Sequence, residues 1–325
     1  MATIRKRKNK WETQVRIKGY QNKCKTFLYY EDAKKWAKEI ERKIEQGTYI
    51  DFTESHQTTL RDLLKRYLDE VSPKKKSYIN EKYLIPKLME NTFTTFTIYN
   101  LTSNKLVEYR NNRLKNVSPS TINREISLIS AVISKAREEW GINLPYNVAR
   151  LLKRLKEPAA RERRLTLFEY KKLMDACSQS KAIWLQPLVK IALETGMRRG
   201  ELLSLTRNKI NLDKKLALLS DTKNGSSRTI PLSNSAIHII ENLPLSFNKK
   251  LFSITESSLK FYWTQALKRA DIKGFCFHQL RHEAISRFFE KGLSIPEVAL
   301  ISGHKDVRML FRYTHLKAED VLKKL

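Results

Sequence analysis

Three segments in the last third of this 325-residue chain gather side chains able to handle an anion. The first, residues 194–205, breaks at Thr195-Gly196 and then reads as a helix with Leu202, Leu203 and Leu205 inward. Arg198 opens that helix and shares a face with Glu201. An arginine behind a glycine turn is placed to grip a phosphate, though the same i,i+3 pair is also the ordinary pattern of a surface salt bridge. In the second, residues 216–232, Asn224-Gly225 between two apolar runs predicts a hairpin. Lys223 sits at its turn, where the amine either swings toward a ligand or stays solvated. In the third, His278 and Arg281 lie one turn apart, with Ile285, Phe288 and Phe289 supplying a buried face. Leu293, Ile295, Val298, Ala299 and Ile301 predict a small helix that Gly303 ends, putting His304 at a corner; Tyr313 follows nine residues later. His278 and His282, four apart, raise a metal reading. Gln279 stands where H-E-x-x-H has Glu, no C-x₂-C or carboxylate cluster completes a site, and Arg281 repels a cation, so no metal is expected.

These residues belong to a strongly basic chain. Its 63 Lys and Arg against 34 Asp and Glu give a net charge of +29, and its pI is near 10.0. That balance points to a polyanion, nucleic acid first. A membrane surface is the weaker option, because no basic amphipathic helix has a strongly apolar face; a ribosome-like or merely soluble basic protein fits the composition too. Disorder throughout is excluded by 41% hydrophobic residues with 10% aromatic. The length predicts two or three domains. No apolar run suits a membrane span, and the N-terminus has no apolar stretch, so neither membrane nor secretory signal is expected. Cys24, Cys177 and Cys276 fit no disulfide or zinc spacing, and the expected compartment is a reducing cytoplasm.

Residues 1–57 read as a small domain. Its first thirty residues hold nine Lys and Arg, among them Arg5, Lys6, Arg7, Lys8, Lys10, Arg16 and Lys18, against Glu12 alone. Trp11, Thr13, Val15 and Ile17 alternate with polar residues and predict a strand. Residues 19–22 form a turn, 25–30 a second strand and 31–46 a helix ended by Gly47. Such a basic sheet backed by a helix suits a DNA groove, against the alternative of a solvated charged face. Residues 58–148 read as helical. Thr59 caps one helix, Ser118-Pro119 opens another, residues 101–114 form a third, and a segment at 79–89 is interrupted by Pro86. Residues 149–164 form a basic linker carrying Lys153, Arg154, Arg161, Arg163 and Arg164, either a strap around a duplex or a plain flexible connection. Thr166 and Glu169 make a capping box that opens a last domain, residues 165–325.

Together the segments resemble the tyrosine recombinase (phage integrase) family. The match is Thr195-Gly-Met-Arg198 with Glu201, Lys223, His278-x-x-Arg281, Gly303-His304, and Tyr313 in Arg312-Tyr-Thr-His-Leu316, in the family's order and rough spacing. It covers residues 165–325, with Leu280–Glu290 especially similar to shufflon-type DNA invertases. Residues 58–148 resemble the core-binding domain by position, and residues 1–57 more weakly the arm-binding domain. Ile301-Ser302 stands where the family usually has a pair such as Leu-Leu. The fold implied is mainly α with small β-sheets: a basic β-sheet plus helix domain, a helical core-binding domain and a mixed, mainly-α catalytic domain.

The resemblance implies a site-specific recombinase that cleaves and rejoins double-stranded DNA through a 3′-phosphotyrosyl link on Tyr313, giving integration, excision or inversion. Arg198 and Arg281 would neutralise the non-bridging oxygens. A phenol is only about 0.1% ionised at neutral pH and needs a base, for which His278 is the candidate. Lys223 would protonate the leaving oxygen, His304 would bond the phosphate, and Glu201 would orient its neighbours. His282, beside Arg281, is expected to be structural. No cofactor is expected. A homotetramer on two sites is implied, with DNA-bending accessory proteins a possibility and association with the bacterial nucleoid. The tail after Tyr313 is passed to a neighbouring protomer or packs locally. Competing readings are a non-catalytic DNA-binding regulator and a type IB topoisomerase.

Overall fold

The computed structural model describes residues 2–158, 163–220, 227–244 and 249–314. Arg161, Lys223 and the tail from residue 315 lie outside them. The chain divides into two compact units, residues 1–159 and 160–325.

In the first unit, strands β1 (Ala2–Arg7), β2 (Lys10–Val15) and β3 (Lys23–Phe27) form an antiparallel sheet in that order. The alternation through Thr13 and Val15 supplies the buried face, which α1 (Tyr30–Glu45) covers with Ala33, Ala37 and Ile44. β1 is absent from the sequence reading because its residues Arg5 to Arg7 are all charged; pairing with β2 across six residues makes it a strand. A short α2 (Thr53–Gln57) leads into α3 (Leu60–Glu70), α4 (Tyr78–Met89), α5 (Ser103–Leu114) and α6 (Pro119–Glu138). Thr59 and Ser118 cap α3 and α6 as their residue types predict. Pro86 does not interrupt α4, which runs through it. These helices close on a core that includes Leu60, Leu64, Ile85, Leu106, Ile129 and Ile133. Residues 149–158, read as linker, are fastened to α6: the Asn123 amide donates to the Leu155 carbonyl at 3.0 Å and receives its N–H at 3.0 Å.

The second unit opens with α7 (Leu167–Ser178), carrying the expected Thr166–Glu169 capping box. Helix α8 (Leu185–Thr195) is apolar almost all round, with Leu185, Leu188, Val189 and Ile191 fully buried. Then come α9 (Arg199–Ser204), strands β4 (Ile210–Asn211), β5 (Leu216–Leu219) and β6 (Arg228–Pro231), and helices α10 (Asn234–Glu241), α11 (Glu256–Arg269), α12 (Gln279–Glu290), α13 (Ile295–Ser302) and α14 (Phe311–Thr314). β5 and β6 pair antiparallel as the stem of the predicted hairpin. α8 and α12 pack side by side, so two of the chemistry-bearing segments start from one core.

Candidate active site

Two glycine turns shape the site. Gly196 ends α8 at φ 59° and Gly303 ends α13 at φ 69°, both left-handed positions that a β-carbon disfavours. At Gly303 there is a second reason: a β-carbon would sit 2.8 Å from the Arg228 guanidinium. Arg281, on the first turn of α12 and only 4% exposed, joins the turns. Its Nη1 donates to the Gly196 carbonyl and its Nη2 to the Ser302 carbonyl, both at 2.6 Å. Burial, then the charge of Arg198, push its pKa down to about 10, which leaves it charged at neutral pH.

Arg198 follows the first turn. Its backbone N–H donates to Glu201 Oε2 at 2.9 Å and its Nη1 to Oε1 at 3.0 Å. The pair is therefore no surface salt bridge, since the Glu201 side chain is 4% exposed. Arg228 completes it from β6, with Nη1 and Nη2 donating to the two Glu201 oxygens at 2.9 and 2.8 Å and Nε to the Ile301 carbonyl at 3.2 Å. Burial alone would raise the Glu201 carboxyl; the bonds from Arg228 and Arg198 outweigh it and hold it below the usual range. Arg228 went unremarked in the sequence. Its signal is weak: an arginine at the foot of the hairpin, whose partner is 27 residues away. Two guanidiniums thus grip one carboxylate and the charge of a third, Arg281, acts on the same cluster, an arrangement that favours an added anion.

His304 stands one residue past Gly303, its Nδ1 bonded to Ser302 Oγ at 2.7 Å. Burial, then Arg281 and Arg198, lower its pKa to about 4. Tyr313, on α14, is 8% exposed. Its hydroxyl is hydrogen-bonded to His282 Nδ1, and the two rings stack with centroids 5.6 Å apart. His278 precedes α12, exposed, with its ring 5.1 Å from that of His282. The structure thus brings together Arg198, Glu201, Arg281 and His304 through direct or shared bonds. It adds Arg228, and it sets His282 against Tyr313, where only packing was expected of it. Among the described residues no group of three or more His, Cys, Asp or Glu is arranged to hold a metal ion.

The basic residues divide. Arg5, Lys6, Arg7, Lys8, Lys10, Arg16 and Lys18 are all exposed on or beside the N-terminal sheet. Lys153 and Arg154 line an open groove of about 450 Å³ with Ser127, Ser130 and Ser134 of α6. Arg163 and Arg164, read as part of the basic strap, have carboxylate partners within their own unit. Arg163 pairs with Glu169. Arg164 takes buried Glu283 through Nε and Nη2 at 3.0 and 3.1 Å and also pairs with Glu290.

Comparison with known proteins places this geometry. The phage integrase family model matches residues 163–320, and the phage integrase N-terminal domain model residues 56–162. The chain is 37% identical over 276 residues to the shufflon-specific DNA recombinase of Escherichia coli, covering 82% of this chain and 71% of that protein. A lambda integrase dimer bound to a COC′ core site superposes with a TM-score of 0.66 at 19% identity, covering 96% of this chain and 94% of that one. The Tn1549 transposon integrase in complex with a circular intermediate DNA gives 0.68 at 16% identity, covering 82% and 100%. With its arginine-lined turns and its tyrosine on the last described helix, the chain belongs to the phage integrase family of site-specific tyrosine recombinases.

Proposed function

We propose that this enzyme cuts and rejoins duplex DNA at specific sites by transferring a strand's 3′ phosphate to Tyr313, giving integration, excision or inversion. The observation that carries the reading is the arginine cluster: Arg281 and Arg198, with Arg228 behind them, hold positive charge against two glycine turns while Tyr313 packs on the helix that bears Arg281. A phosphodiester is a stable anion, and charge grows on its non-bridging oxygens as phosphorus becomes five-coordinate. Arg198 and Arg281 stabilise that charge, and neutral His304 donates to the phosphate. Glu201 holds Arg198 in place. Lys223 protonates the leaving 5′ oxygen. An imidazole must take the phenolic proton, and the start of α12 offers two, His278 and His282. The tyrosyl ester keeps the bond energy for rejoining.

The exposed N-terminal lysines and arginines, with Lys153 and Arg154 of the groove, contact DNA phosphates. Residues 1–57 act as an arm-type domain, 58–148 as the core-binding domain and 165–325 as the catalytic domain. The active form is a homotetramer on two sites in the cytoplasm, at the nucleoid, with bending proteins as accessories. Inverted repeats flanking the coding gene supply the test substrate. Wild-type protein forms a covalent adduct on a nicked duplex and exchanges strands between two marked duplexes; Tyr313→Phe keeps site binding and forms no adduct. Adduct formation by the Phe variant would remove Tyr313 as nucleophile. Relaxation of supercoils without exchange would favour a topoisomerase.

A further inference from the structure

We propose that His282, and not His278, accepts the proton of Tyr313 during DNA cleavage. The inference rests on the recombinase reading above and assigns one step within it. Its ground is contact. Nδ1 of His282 is hydrogen-bonded to the Tyr313 hydroxyl, the atom that would attack phosphorus. The rings stack at an interplanar angle of 25°, which fixes the imidazole against the phenol. The neutral ring is assigned the tautomer with its proton on Nε2, in which Nδ1 presents a lone pair to the phenol O–H. His278 is exposed, and its ring lies 5.1 Å from that of His282.

The step balances on these atoms. The Tyr313 O–H bond breaks and its proton moves to His282 Nδ1 as the phenolic oxygen bonds to phosphorus. The bond from phosphorus to the 5′ oxygen breaks, and that oxygen takes a proton from Lys223. Rejoining runs the transfers backwards, and His282 returns its proton to the departing phenol.

The surroundings make the acceptor conditional on DNA. His278 and Arg281 face His282 from the start of α12, Arg312 and Tyr313 from α14, and His304 from the turn after α13. Burial and then these positive neighbours hold His282 at a pKa of about 4, a poor base in the free protein. A phosphate seated on Arg198 and Arg281 offsets that positive field and raises the basicity of His282. The phenol is thereby activated only when a scissile phosphate is present.

The test measures adduct formation on a nicked duplex carrying the protein's own site, with binding followed separately by mobility shift. His282→Ala and His282→Gln are expected to bind normally and to lose about 10²–10⁴-fold in cleavage rate, the usual contribution of a positioned base. The amide of Gln can accept a hydrogen bond and cannot take the proton. A difluorinated tyrosine at position 313, whose phenol is more acidic, should recover cleavage in His282→Ala relative to the same replacement in the parent protein, and should not recover His278→Ala. Cleavage near the wild-type rate in either His282 variant overturns the proposal, as does recovery confined to the His278 variant or absent from both. A wild-type protein that makes no adduct would instead refute the recombinase reading itself.

Discussion

Replacing Arg228 with Met removes a side chain that no reaction step uses and that ties Glu201 to the carbonyl of Ile301. Glu201 is 4% exposed and accepts four hydrogen bonds at 2.8–3.0 Å, two of them from Arg228. Taking one partner from a buried ion pair costs about 3–5 kcal/mol, because the remaining charge is left desolvated. Arg198 still faces Glu201, which puts the expected loss near the lower end, about 3 kcal/mol. For a unit of this size each kcal/mol lowers Tm by about 2–4 °C, so the transition of residues 160–325 should fall by about 6–12 °C. Arg228→Lys keeps the charge and loses the fork that spans both oxygens, and should fall between the two. The double variant Arg228→Met with Glu201→Gln should be less destabilised than the sum of the singles by about 1–3 kcal/mol, since the uncompensated carboxylate is gone. Thermal unfolding of the full chain reads all four proteins. A Tm unchanged by Arg228→Met, or a double variant that is simply additive, would refute the idea that Arg228 clamps Glu201.

Three further outcomes can be measured. His282 and His304 are held neutral, with pKa values of about 4 against 6.5, so stability is fully present above pH 6.5 and is lost as pH falls toward 4; each ring contributes at most about 3 kcal/mol, less after solvent screening, and a denaturation series in which stability rises from pH 6.5 to 4.5 would contradict this. Arg164→Ala should lower stability by about 2 kcal/mol while leaving the salt dependence of DNA binding unchanged, whereas Lys153→Ala should reduce the slope by about 1 and leave stability alone; titrations at several salt concentrations separate the two. Lys223→Ala should lose cleavage on an ordinary duplex and regain it on one whose scissile 5′ bridging oxygen is sulfur, which leaves without a proton; no regain would remove Lys223 as the acid.

What the sequence made legible were features set by near neighbours. A glycine at φ 59° or 69° can be read locally, because the turn it makes lies between two helices whose stripes are visible. The cap at Thr59, and the box that Thr166 makes with Glu169 three residues on, are legible the same way. Arg198 and Arg281 fall at the turns so marked. What stayed hidden depends on partners far along the chain. Arg228 looks like any strand arginine until β6 lays it on Glu201 and on the carbonyl of Ile301, 73 residues away. Arg164 looks like one more charge in a basic run, and its partner Glu283 lies 119 residues on. A count of lysines and arginines therefore predicts a polyanion for the whole chain, and cannot say which cations meet it. Within one helical turn the same limit applies to histidines: His278 and His282 are alike in type and spacing, and only the return of α14 brings a phenol to one of them. The residue adjacent to a buried arginine reads as packing because burial explains it fully. Contact with the Tyr313 oxygen, which no local pattern encodes, is what gives the half-buried imidazole a proton to receive.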